Sequence, residues 1–433
     1  MTSPSTYPVP TAKLTKQFSA RVPGSKSITN RALFAATLCQ EPVLLVGALE
    51  SEDTQVASDA LRSFGVTIEH RKEGWWVDGR RSGPQGPGHS IYLANAGTAV
   101  RFLSSILVAK GWPCRVHGTE RMHQRPIGPL LKGLIELGGN ITSELSNQCP
   151  PLQIKDGGLE GGETAISGQV SSQFFSGLMM AAPLAKKASR VSVTDAWLSL
   201  PYIHLTASLL ESFGVKVSIN ETGYIDIPGQ QIYQSPGRYE IEPDATAATY
   251  PMGLAMLHRI PLKFEGLNRS ALQGDIAFVE VLEAMGAEVK DEENAMVIIP
   301  PENLKSIEMD LNRIPDAAMT AVVLCSIAEG TSRLSGLKNL AYKECDRLSA
   351  LKNELNKMGS KIEIDEDGFT IEGQNIEQMN GAEINTYHDH RMAMCLSLMG
   401  TLVPNTIILD PSCVEKTYPN YWQDLESWIK AAQ

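Results

Sequence analysis

The chain has 433 residues, more than one ordinary core holds, so two domains are expected. Lys and Arg number 38 against 49 Asp and Glu, and the formal net charge of −11 excludes a general nucleic-acid or membrane-surface binder. Hydrophobic residues make up 42% and charged residues 20%, the composition of a packed globular fold.

The N-terminal segment Met1–Lys16 is rich in Ser, Thr and Pro and has no apolar run of the secretory kind. The first chemical motif begins at Gly24, so neither a secretion signal nor a transit peptide is expected. Lys13, Lys16, Arg21, Lys26 and Arg31 precede the first acid, Glu41, which marks a local anion site within an acidic protein. The seven cysteines are scattered and form no C-x-x-C, which points to reduced thiols in a cytoplasmic setting.

Further along, one pattern recurs. A helix ending Leu-x-x-x-Gly precedes a strand-like segment at Leu61–Gly65, Leu134–Gly138, Leu210–Gly214, Leu282–Gly286 and Leu355–Gly359. The glycines lie 73, 76, 72 and 73 residues apart. Each Gly is expected to end a helix in a left-handed conformation, and six such units would fill the chain. Helix and strand signals in one unit predict an α/β (α+β) class. The Pro- and Gly-bearing stretch Tyr233–Pro243 is the expected connection between two domains of three units each.

The chemistry-bearing segments sit where helices are predicted to start. Pro23–Arg31 (PGSKSITNR) feeds an apolar helical run and presents Lys26 and Arg31. It lacks the spacing of a Walker A loop, so an ATPase is not supported. Asn95–Arg101 (NAGTAVR) puts Gly97 at a second helix start. Arg125 precedes Pro126, which is read as lying in the first turn of a third helix. Ser171, Ser172 and Gln173 open another apolar helix, where hydroxyls and an amide either cap it or hold an anion. Ser199 and Tyr202 lie in a turn. Asp316 stands just ahead of an apolar helix. Lys343 and Arg347, four apart, are expected on one helical face beside Glu344. Arg391 follows His388 and His390, which lack a third ligand at metal-binding spacing. Lys416 lies in EKTYP. Cations, hydroxyls and glycines at repeated helix starts suit a substrate pair with several negative charges.

Taken in order, PGSKSITNR, NAGTAVR, RPIG, SSQ, IPDAAMT, NLAYKECDR, DHRMAM and EKTYP resemble the 5-enolpyruvylshikimate-3-phosphate synthase family from roughly Arg21 to Pro419. The resemblance implies two domains, each of three βαβαββ units in an inside-out barrel-like arrangement, closing over substrate. It implies boundaries of 1–21 plus 242–433 for the domain with both termini and 22–241 for the other, hinged near 21–24 and 233–243. It further implies transfer of the enolpyruvyl group of phosphoenolpyruvate to shikimate-3-phosphate by a cytoplasmic monomer, without metal or organic cofactor.

Lys26, Ser27, Arg31, Ser171, Ser172, Gln173, Ser199, Tyr202, Asp316, Asn339 and Lys343 would hold shikimate-3-phosphate, Arg31 at its carboxylate. Lys26, Gly97, Arg125, Gln173, Arg347, Arg391 and Lys416 would hold phosphoenolpyruvate, where glyphosate, an anionic inhibitor of the family, would compete. Asp316 would act as base and Glu344 as acid, with Lys26 assisting the proton traffic. Two departures from the family pattern stand out: Phe102 where Pro is common, and Leu200 where Lys is frequent. The rival readings are the UDP-N-acetylglucosamine enolpyruvyl transferase and a non-catalytic anion-binding protein of the same fold. The first uses a Cys ahead of its R-P motif, and no Cys lies between Val116 and Arg125 here. The second has no need of an acid–base pair.

Overall fold

The computed structural model describes residues 5–86, 88–197 and 199–433. The chain forms two compact units, Gly24–Glu242, and Met1–Pro23 with Pro243–Gln433, each with its own hydrophobic core.

The repeat is visible in the sheets. The clearest copy is Ser90–Tyr92, helix Gly97–Lys110, Cys114–His117, helix Gly128–Glu136, then the hairpin Ile141–Ser143 and Leu152–Ile154. The first two strands pair in parallel, Ser90 opposite Arg115, and the fourth strand runs antiparallel between the second and the third. Five four-stranded sheets share this order. Two borrow their first strand from a distance: Arg238–Glu240 pairs with Val43–Val46, and Phe18–Ala20 with Leu262–Glu265. The sixth sheet has three strands, Thr6–Pro8, Ile407–Leu409 and Glu383–Ile384. Where its closing hairpin would stand, a 3-10 turn Pro411–Lys416 and the helix Tyr421–Ala432 follow instead.

The Leu-x-x-x-Gly signature is a helix-terminating device used five times. Gly65, Gly138, Gly214, Gly286 and Gly359 all have positive φ, between 72° and 103°. In each case the residue after Gly donates its N–H back to the Leu carbonyl, as Val66 does to Leu61 at 3.3 Å and Val215 to Leu210 at 2.9 Å. The Gly N–H bonds one residue further along the last turn, as Gly65 does to Arg62. This double bond pattern satisfies carbonyls that a helix end leaves open, and only a residue indifferent to left-handed φ closes it cheaply.

The first helix of each repeat is the buried one. In Gly24–Glu242 these are Lys26–Thr37, Gly97–Lys110 and Gln173–Ala181, with Gly97–Lys110 packed against both of the others. In the other unit they are Ala245–His258, Ala318–Cys325 and His390–Gly400, which pack on one another. A helix apolar on all sides has no face to show water and goes to the centre. Each follows one strand and leads to a parallel neighbour, so the repeat itself fixes its direction. Three equivalent helices then bring their N-termini to one end of each unit. Gly24, just ahead of the first of these helices, is needed for packing: a Cβ there would collide with the Gly47 carbonyl.

Among the described residues no helix is long and apolar enough to cross a membrane.

Candidate active site

In the unit Gly24–Glu242, the helix starts carry the expected groups. Ser25 caps the helix Lys26–Thr37, its hydroxyl accepting the Ile28 N–H, and Lys26 opens the first turn. The Lys26 Nζ lies 3.6 Å from Asp53, itself buried. Arg31, one turn on from Ser27, is 2% exposed. It donates to the Ser27 carbonyl at 3.0 Å and to Thr206 Oγ1 at 2.8 Å. Burial lowers its pKa to about 10, so it stays a cation at neutral pH.

Gly97 opens the second buried helix between two guanidinium groups. A Cβ there would stand 2.6 Å from Arg125 Nη2 and 2.7 Å from Arg101 Nη1. Arg125 is anchored by Asn95, through the backbone oxygen at 2.9 Å and the side-chain oxygen at 3.0 Å. Arg101 donates to the Gly97 carbonyl at 3.0 Å and the Pro126 carbonyl at 3.1 Å, tying the two loops together. The third helix start joins them, with Gln173 Nε2 donating to Thr98 Oγ1 at 3.2 Å. Ser171 Oγ accepts the Gln173 N–H at 3.2 Å, while Ser172 is the helix cap residue and is buried. Ser199, buried, holds a left-handed conformation (φ 54°, ψ 45°) that ordinary residues adopt at a cost. Its carbonyl accepts the Tyr202 N–H.

In the other unit the cluster centres on Arg347, 1% exposed. Its Nε donates to Asp389 at 2.8 Å, its Nη1 to Asp316 at 2.9 Å and its Nη2 to Glu344 at 2.9 Å. Asp316 also accepts from Lys343 at 3.2 Å and from Arg391 at 3.2 Å. Burial disfavours the charge on Arg347, but Asp389, Glu344 and Asp316 outweigh it and hold the pKa far above the ordinary value. Arg391 is raised in the same way, chiefly by Asp316 against its own burial. For Lys343 burial prevails over the nearby Asp316, and its pKa falls. Asp389 caps the helix His390–Gly400 by accepting the Arg391 N–H at 2.9 Å. Asn339 is buried within the 3-10 turn Lys338–Tyr342, and Lys416 is buried at the end of Pro411–Lys416.

Two local expectations need correction. Pro126 is not in a first turn: the helix begins at Gly128, and Pro129 takes the early position. Lys343 and Arg347 do not share a helical face, because Lys343 is extended and the helix Arg347–Lys357 starts only at Arg347. They meet at Asp316 nonetheless. Asp346 caps the helix Arg347–Lys357 and accepts from Ser349. His388 is exposed and bonds Asp410, while His390 is buried. Sequence reasoning missed Asp53, Asn95 and Asp389. Asp389 had a legible signal as a cap before an apolar helix. Asp53, 27 positions from Lys26, had none.

The profile of EPSP synthase (3-phosphoshikimate 1-carboxyvinyltransferase) matches residues 10–425. The chain belongs to this family. A 3-phosphoshikimate 1-carboxyvinyltransferase of Idiomarina loihiensis is 40% identical over 407 residues, covering 93% of this chain and 94% of that protein. One from Paraburkholderia phytofirmans is 40% identical over 411 residues, with the same shares. A solved EPSP synthase structure from Acinetobacter baumannii matches with a TM-score of 0.79 at 25% identity, covering 97% of each chain. The family's α/β fold and the repeated sheets described above agree.

Proposed function

We propose that the protein transfers the enolpyruvyl group of phosphoenolpyruvate to the 5-hydroxyl of shikimate-3-phosphate, releasing phosphate. The observation that carries the reading is the shared contact of Asp316 and Glu344 with the Arg347 guanidinium. One buried cation holds two carboxylates in fixed places, as a reaction with one proton taken and one given requires.

The 5-hydroxyl oxygen attacks C2 while its proton passes to Asp316. C3 takes a proton from Glu344, and a tetrahedral intermediate forms. The C2–O bond to phosphate then breaks, C3 returns its proton to Glu344, and phosphate departs with the proton that Asp316 had taken. Lys26, Gly97, Arg125, Gln173, Arg347, Arg391 and Lys416 hold phosphoenolpyruvate and stabilise charge as phosphate leaves. Ser27, Arg31, Ser171, Ser172, Gln173, Ser199, Tyr202, Asn339 and Lys343 hold shikimate-3-phosphate, Arg31 at the carboxylate. Lys26 assists the proton traffic. The scheme calls for no metal or organic cofactor. The working form is a cytoplasmic monomer.

The test is phosphate release with both substrates and with each alone. Release that requires both, with one enolpyruvyl ether formed per phosphate, is expected. Release from phosphoenolpyruvate alone at the same rate, or none with both, would overturn the reading.

A further inference from the structure

Arg31 is a buried cation whose structural partners are all neutral. Its Nε donates to Thr206 Oγ1 at 2.8 Å and its Nη2 to Ser176 Oγ at 3.3 Å. Its other bonds go to the carbonyls of Ser27 and Tyr202. The guanidinium carbon Cζ lies over the Phe102 ring, 5.0 Å from the centroid. Phe102 is fully buried and itself held edge-on by Phe34.

The hydroxyl wiring around Arg31 has one consistent direction. Thr206 Oγ1 donates its single proton to the Tyr202 carbonyl at 2.8 Å. Its 2.8 Å contact with Ser176 therefore uses the Ser176 proton. Each hydroxyl is left with a lone pair facing Arg31, which donates only. The two hydroxyls fix the guanidinium nitrogens, and the negative face of the ring attracts the cation from another side. Arg31, Phe102 and the pair Ser176 and Thr206 come from the first, second and third repeats of the unit.

We propose that Thr206, Ser176 and Phe102 are positioning residues that aim Arg31 at the carboxylate of shikimate-3-phosphate while leaving its charge uncancelled. A carboxylate in any of their places would hold Arg31 as firmly but would compete with the substrate anion. The reason for three neutral supports is then binding, since burying the cation among them gains no ion pair. The inference rests on the role given to Arg31 under the proposed function.

The test compares Thr206→Val, which keeps the shape and removes the hydroxyl, with Thr206→Ser, which keeps the hydroxyl. Thr206→Val is expected to raise the KM for shikimate-3-phosphate by about tenfold or more, from the lost bond to a charged group. The KM for phosphoenolpyruvate, measured with shikimate-3-phosphate saturating, should stay within about twofold, and Thr206→Ser should recover most of the loss. Equal rises in both KM values, or a Ser variant as impaired as Val, would overturn the proposal. Should Thr206→Val fail to fold, Phe102→Leu gives the second reading. Loss of the ring face should again raise the KM for shikimate-3-phosphate selectively, and an unchanged KM would count against the cradle. Wild-type turnover is read separately, so a failure of the proposed reaction shows in the wild type and a failure of the cradle only in the variants.

Discussion

The buried arginines at the helix starts of the two units meet different kinds of oxygen. In Gly24–Glu242, Arg31, Arg101 and Arg125 are gripped by carbonyl, hydroxyl and amide oxygens. In the other unit, Asp316, Glu344 and Asp389 hold Lys343, Arg347 and Arg391, three carboxylates against three cations. Neutral oxygens orient a cation without discharging it, which suits groups meant to meet an incoming anion. A balanced ionic cluster does something different. It keeps ionisable carboxylates rigid in a buried place, where an uncompensated charge would be costly, and so suits proton transfer. Under the proposed function, the same repeat, present in both units, would serve as an anion-receiving surface in one and as an acid–base centre in the other. The choice turns on which oxygens surround the arginines.

The largest effect that would break this comparison is Asp316→Asn. The amide keeps the size but cannot take the hydroxyl proton, so kcat should fall by roughly a hundredfold to ten-thousandfold. Steady-state kinetics would check it, and wild-type turnover would remove Asp316 as base. Next comes Asp389→Asn, which leaves Arg347 without its two-point carboxylate contact. Losing one partner of a buried ion pair costs about 3–5 kcal/mol, to be read from denaturant unfolding. An unchanged midpoint would show that the ionic cluster does not hold that unit together.

A smaller effect sharpens the other side. At Gly97 an added Cβ would press on both Arg101 and Arg125 without removing a charge. Gly97→Ala should weaken glyphosate inhibition by about tenfold or more, equal to about 1.4 kcal/mol, and phosphoenolpyruvate binding by less. Inhibition measured at varied phosphoenolpyruvate would test this, and equal losses for both anions would argue against the placement.

The last effect lies outside both clusters and calibrates them. His258, bonded to Thr401 at 2.7 Å, has its pKa lowered by burial from 6.5 to about 4. The unfolded chain therefore takes up the proton first as pH falls. The stability this neutral histidine contributes is complete above pH 6.5 and declines toward pH 4. Thermal unfolding between those values should show a smaller slope with pH in His258→Gln than in wild type. Identical slopes would assign the acid sensitivity to other groups.

What the sequence determined alone was local and periodic. Five glycines at a near-constant spacing announced five helix ends, because the left-handed turn that closes them admits little else. The alternation of helix and strand set the α/β class. The motifs at helix starts were legible because capping residues, glycines and cations leave a mark within a few positions. What only the tertiary structure decided was which of these local marks meet. Nothing near Lys26 in sequence names Asp53, and nothing near Arg31 names Thr206 or Phe102. Those partners come from other helices or other repeats, brought close by burial of apolar helices at the centre of the unit. The same holds for Lys343 and Arg347. Helical spacing put them on one face. In the structure a break in the helix separates them, and Asp316, ahead of a different helix, brings them together. Periodicity is written in the neighbours of each residue, but charge partnership is settled by packing, which acts across the whole unit.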